Sequence, residues 1–203
     1  VGIFDVTSLK SFGTSSINKT ECDGIIKLLN KQTCLDELKL DGLLCNNFFA
    51  APEILSIPFR LKILSITNAT ITSDAFLRMH FDGLTQLILN CSIQVENLPI
   101  DSMPNLKSLE IPFHTFERAV STGNATVKSL KLVGIYPKKS KAALNIFKLF
   151  PSIDHLDLSQ SFINNEAESI SSIQKVYPQL KSLKLSHPMP TKNNFPYLEK
   201  FSV

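Results

Sequence analysis

The sequence predicts an α/β solenoid, a parallel sheet with one short strand per repeat and helices or irregular turns on the far side. Three observations predict it. The pattern Φ-x-x-Φ-x-Φ (Φ aliphatic or Phe) recurs at Leu35-Leu38-Leu40, Leu61-Leu64-Ile66, Leu84-Leu87-Leu89, Leu106-Leu109-Ile111, Val127-Leu130-Leu132, Ile153-Leu156-Leu158 and Leu180-Leu183-Leu185, with weaker copies at Val1-Phe4-Val6 and Leu198-Phe201-Val203. Successive starts lie 34, 26, 23, 22, 21, 26, 27 and 18 residues apart, the spacing of stacked repeats. The fourth and sixth positions share one face of a strand, and so small a unit buries that face only against neighbours of the same shape.

In chain order, a polar loop follows Val6 up to Lys19. Thr20 then reads as the N-cap of a helix from about Glu21 to Asn30 that buries Ile25, Ile26, Leu28 and Leu29. The second repeat places Phe48 and Phe49 under a short turn, with Pro52 and Pro58 excluding a long helix. Thr72-Ser73-Asp74 before Ala75-Phe76-Leu77 predicts capped helical turns, and Leu84 to Asn105, without helical period, a tight extended connection. Thr115 to Val120 predicts one or two helical turns. The clearest helices are Ser140 to Phe150, with Ala143, Leu144, Phe147 and Phe150 on one face, and Asn165 to Tyr177, with Ala167, Ile170, Ile173 and Tyr177 on one face. Both fall in the long repeats, as expected if the strands are constant and the return path varies. Pro188, Pro190 and Pro196 leave the eighth repeat no room for a helix.

An apolar residue and a proline precede four strands: Met103-Pro104-Asn105-Leu106, Phe150-Pro151-Ser152-Ile153, Tyr177-Pro178-Gln179-Leu180 and Phe195-Pro196-Tyr197-Leu198. Each proline stops what precedes it and biases the residue before it to extended geometry. With these residues the chain resembles the leucine-rich-repeat family over essentially its whole length, most closely the irregular repeats of F-box/leucine-rich-repeat proteins. The resemblance implies one leucine-rich-repeat domain over residues 1–203, about eight to nine repeats cut at both ends, with a concave parallel sheet. It departs from the regular pattern at the ninth position, where Leu9, Leu43, Ala69, Ser92, His114, Ile135, Ser161 and Pro188 replace the usual Asn or Cys.

Composition narrows the function. A net charge of +3 gives no electrostatic case for nucleic acid, and no apolar run approaches the roughly 18 residues that span a bilayer. Cys22, Cys34, Cys45 and Cys91 form no C-x-x-C pair or zinc spacing with the four histidines, so buried free thiols, no metal and a reducing, intracellular compartment are expected. Four N-x-S/T sequons, at Asn18, Asn68, Asn90 and Asn124, point toward secretion, but chance alone supplies about two to three in a chain of this composition. No Gly-rich phosphate loop, cofactor motif or nucleophile elbow occurs. His155 between Asp154 and Asp157 is the nearest approach to an acid/base cluster and reads as a polar contact residue. The chain therefore reads as a non-enzymatic binding module without a cofactor.

Pleat alternation turns the third and fifth positions of each repeat outward. These are Glu37/Lys39, Ile63/Ser65, Gln86/Ile88, Ser108/Glu110, Ser129/Lys131, His155/Asp157, Ser182/Lys184 and Lys200/Ser202, the expected concave binding face for a protein partner, with Ile63, Gln86 and Ile88 as its apolar-to-neutral middle. Lys107, Lys128, Lys131, Lys181 and Lys184 read as a solvated polar face rather than a basic stripe, because Asp154 and Asp157 interrupt them; Lys138-Lys139-Ser140-Lys141 reads as an exposed loop. The family resemblance implies the substrate receptor of a ubiquitin ligase whose adaptor docks on an F-box absent from this chain; an extracellular recognition ectodomain and a plain scaffold are the alternatives.

Overall fold

A computed structural model describes residues 9–15, 19–42, 60–71, 81–94, 97–120, 122–134, 147–161, 166–186 and 197–202. Nine strands, β1 (Ser11–Ser15), β2 (Glu37–Asp41), β3 (Ile63–Ile71), β4 (Gln86–Ile93), β5 (Ser108–Pro112), β6 (Ser129–Val133), β7 (His155–Leu158), β8 (Ser182–Leu185) and β9 (Lys200–Ser202), form one sheet. Their order in the sheet is their order in the chain, and every neighbouring pair is parallel. Parallel neighbours need a crossover connection, so each repeat must leave the sheet and return one step further on. The result is an α/β, solenoid-like stack.

The leucines of the recurring pattern make the core. Leu38, Leu64, Leu87, Leu109, Leu130, Leu156 and Leu183 occupy equivalent positions on β2 to β8 and are at most 2% exposed. Burying one such side chain is worth roughly 1.5–3 kcal/mol, and here each is sandwiched between copies of itself. Main-chain bonds set the step as regularly. Just before each strand from β2 to β9, two consecutive N–H groups donate to one carbonyl of the preceding repeat: Asp36 and Glu37 to Lys10, Lys62 and Ile63 to Asp36, Thr85 and Gln86 to Lys62, and so on to Glu199 and Lys200 bonding Lys181, all at 2.7–3.0 Å.

Helix α1 (Lys19–Asn30) follows β1 and buries Cys22, Ile26 and Leu29 in the same core. It starts before Thr20, which lies inside the first turn and is not the expected cap. Helix α2 (Phe113–Ala119) continues directly from β5, with the Phe116 ring packed at a tilt against that of Phe150, centroids 5.5 Å apart. Helix α3 (Glu166–Val176) precedes β8 and ends at Tyr177, whose hydroxyl donates to the Phe147 carbonyl at 2.5 Å. Among the described residues between β4 and β5 the helical piece is a 3-10 turn, Ile100–Ser102, in keeping with the missing helical period.

Two expectations change. The stretch read as a polar loop holds β1, in register with β2 from Ser11↔Glu37 to Ser15↔Asp41. Its repeat begins at Leu9, with Phe12 packed against the core and Thr14 where the pattern wants an apolar residue, so the repeat lacks its third apolar position. The expected copy at Val1-Phe4-Val6, the turns over 43–59 and 72–80, most of the predicted Ser140–Phe150 helix and the Pro188–Pro196 segment lie outside the described residues; at the end of that helix Phe147 and Phe150 are buried. The second change is length. β3 and β4 outrun the six-residue pattern because alternation continues through Cys91 and Ile93 on β4, and through Ala69 and Ile71 on β3 beyond an irregularity between Thr67 and Thr70. Asn68, at φ 50, takes the left-handed conformation there that asparagine tolerates.

Candidate binding face

The sheet brings the predicted outward residues together as two straight rows. In the first, Ser11, Glu37, Ile63, Gln86, Ser108, Ser129, His155, Ser182 and Lys200 are register partners from β1 to β9; in the second, Gly13, Lys39, Ser65, Ile88, Glu110, Lys131, Asp157, Lys184 and Ser202. Ser11 and Gly13 extend the rows beyond the sequence-predicted set. Lys39, His155, Lys184, Lys200 and Ser202 are exposed, and most others half-buried; Ser65, 9% exposed, is the exception that closes inward.

From β2 to β8 the acidic and lysine side chains of this face pair with one another. Lys39 Nζ pairs with Glu37 at 2.6 Å, Lys131 with Glu110 at 3.0 Å and Lys184 with Asp157 at 3.8 Å. Bonds from Lys39 and from Ser11, whose hydroxyl donates at 2.8 Å, hold the Glu37 carboxyl below its usual range. Between the Glu37–Lys39 and Glu110–Lys131 pairs lies a window without charge: Ile63, Ser65, Gln86 and Ile88, continued by Ser108 and Ser129. The apolar-to-neutral middle read from the sequence is therefore one contiguous patch.

At the far end of the strands, Asn68, Ala69, Asn90, Cys91, Ser92, Pro112, His114, Val133 and Gly134 line a cleft of about 390 Å³. Sequence reasoning missed this cleft, whose signal was the continued alternation that lengthens β3 and β4. Asp41 stands beside its rim, accepting from Thr67 Oγ1 at 2.6 Å and Asn68 Nδ2 at 2.8 Å; these bonds lower its pKa. Burial pushes the Cys91 thiol up to about 12, so little thiolate exists near neutral pH and the group is a poor nucleophile. His155 Nδ1 meets Asp154, not a second acid across the face. Among the described residues no group of three or more His, Cys, Asp or Glu side chains is placed to hold a metal ion, and no helix is long and apolar enough to cross a membrane.

The cysteines correct the sequence reading, and one sequon takes a structural role. Cys34 and Cys91 are free, but Cys22 is disulfide-bonded, so uniformly free thiols fail and with them part of the argument for a reducing compartment. Asn124 is structural: it is 6% exposed, donates to the carbonyls of Ile100 at 2.6 Å and Met103 at 3.0 Å, and accepts from Thr126. No glycan can reach it. Asn90 is exposed, as is Ser92 two residues on.

The chain is 25% identical over 182 residues to the tubulin-specific chaperone cofactor E-like proteins of Rattus norvegicus and of Homo sapiens. The match covers 82% of this chain and 43% of each relative, so the chain spans less than half of their length. No protein-family model matches the chain, and no solved structure matches it at a significant level.

Proposed function

We propose that this chain is a leucine-rich-repeat binding module, without catalytic activity of its own, that holds a protein partner on a concave face formed by β2 to β8. One observation carries the reading: the registered double row whose charges are internally paired and whose centre, Ile63, Gln86 and Ile88, is free of charge. An uncharged, partly apolar centre inside a polar rim is the anatomy of a protein-binding surface, and stacked repeats offer such surfaces along their length. The relatives' name supplies the partner class, a tubulin subunit or a protein handled in the same way, and this reading places the protein inside the cell. Neither relative is named as a ligase subunit, so the F-box receptor reading draws no support from them.

The test is capture of purified tubulin by the chain and by its Ile88→Asp variant. A charge at the centre of the window should weaken capture about tenfold or more while leaving the circular dichroism and melting curve unchanged. Capture that survives in a folded variant would overturn the placement of the face.

The disulfide at Cys22 and the exposed sequon at Asn90 favour a second reading, a secreted recognition domain. Mass mapping of the protein from its native source separates the two: a glycan on Asn90 with an oxidised Cys22 supports secretion, and a bare Asn90 with a reduced Cys22 supports the intracellular reading.

A further inference from the structure

One row of the sheet breaks the rule of paired charges. Lys10, Asp36, Lys62, Thr85, Lys107, Lys128, Asp154, Lys181 and Glu199 stand immediately before the strands, at the row of shared carbonyls. Lys62 is paired with Asp36 at 3.2 Å, and Thr85 turns its hydroxyl onto the Lys62 carbonyl. Lys107 and Lys128 then follow on adjacent repeats, locked in register by the Lys128 N–H donating to the Lys107 carbonyl at 2.8 Å. Adjacent strands lie about 4.8 Å apart, so two like charges are stacked where opposite charges would be favourable. Both are exposed, and neither takes part in an ion pair among the described residues. The acid that follows them, Asp154, is turned onto its own neighbour's imidazole at 2.5 Å. Beside the two lysines, Ser108 and Ser129 lead directly into the uncharged window.

We propose that Lys107 and Lys128 form an anion-binding subsite of the binding face, receiving carboxylates of an acidic, extended segment of the protein partner whose apolar part lies over Ile63 and Ile88. This rests on the protein-binding reading and adds the chemistry of the partner. Two ammonium groups on a rigid sheet, neither in an ion pair among the described residues and with Asp154 of the next repeat held by His155, lower the repulsion between them by accepting a negatively charged segment. The pull reaches only about 10 Å at 0.1 M salt, so the subsite steers and orients while the window supplies contact area.

The probe is a fluorescent hexaglutamate peptide, with hexaglutamine as the neutral control, titrated by anisotropy at low salt. The wild-type chain should bind the acidic peptide and not the neutral one, and binding should weaken as salt rises. Lys107→Glu with Lys128→Glu should weaken binding about tenfold or more, and the paired Gln variant, which keeps the probe usable if charge reversal disturbs folding, about threefold. Lys148→Glu, exposed in the turn before Phe150, should stay within about twofold of wild type. No binding of hexaglutamate by the wild type, or binding indifferent to both double variants, overturns the subsite. Tubulin capture separates the two claims: capture abolished by Ile88→Asp but untouched by the lysine variants overturns the subsite and leaves the binding face standing, whereas lysine-dependent peptide binding with Ile88-independent capture does the reverse.

Discussion

The repeat of β4 and the repeat of β7 solve one problem in opposite ways. β4 runs eight residues, Gln86–Ile93, and returns through a 3-10 turn; β7 runs four, His155–Leu158, and returns through the eleven-residue α3. Where the strand is long the return is compact, and where it is short a helix makes up the distance. Their polar closures differ too. The Ile100 and Met103 carbonyls, already bonded by the Met103 and Leu106 N–H groups, each take a second bond from a buried amide, Asn124, delivered from the lead-in to β6. That lead-in runs so close to the Leu149 main chain that a Cβ on Gly123 would stand 2.1 Å from its carbonyl oxygen. The helical repeat is closed instead by Tyr177 reaching the Phe147 carbonyl, its ring 5.8 Å from that of Phe147. The sheet face is invariant, and the closure of the far side is improvised repeat by repeat.

Cavity variants test the invariant half of that contrast and carry the largest effect. Leu89→Ala and Leu158→Ala, both at 0% exposure on equivalent positions, should each cost about 3–4 kcal/mol in urea unfolding. A much smaller loss at one would mean that the two repeats do not share a core. The closures come next. Asn124→Ala removes two buried bonds, leaving each carbonyl its main-chain donor, and should cost about 2–3 kcal/mol, against about 1 kcal/mol for Tyr177→Phe, which removes one; the reverse order would show that the helical repeat depends more on its polar closure.

The smallest effect is in acid. The Asp41 carboxyl is held below its ordinary value by Thr67 and Asn68, so its contribution is present above the ordinary carboxylate range and lost as pH falls through the lowered folded value. Asp41→Asn should therefore lower the melting temperature slightly at pH 7 and remove part of its decline below about pH 4. An unchanged acid limb would show that the β2–β3 end is held by the main chain alone.

How much of this was legible depended on which interactions repeat. The two outward rows were readable residue by residue from Glu37 to Ser202, because a period-two strand fixes which side chains share a face. β1 was lost to a single substitution, Thr14 where an apolar residue would have kept the pattern. The length of β4 was written in Leu87, Leu89, Cys91 and Ile93, and that of β3 in Ala69 and Ile71, an alternation that runs past the six-residue pattern. The structural role of Asn124 was not legible, because a sequon describes three adjacent residues while its role is set by carbonyls 21 and 24 residues away. The bonded state of Cys22 likewise depends on a spatial neighbour that spacing does not reveal.

The row of shared carbonyls has a mechanical consequence. Every step from Lys10 to Lys181 is latched by the same two-to-one bond, so a load pulling the sheet apart across its strands meets a chain of equal latches, each opened in turn rather than all at once. What distinguishes the steps is the number of rungs behind the latch. The β3–β4 step, seven register pairs deep, holds longest, while β4–β5, β6–β7 and β8–β9, with three each, give way first, so the sheet parts on the far side of β4 and leaves Ile63, Ser65, Gln86 and Ile88 assembled on β3 and β4.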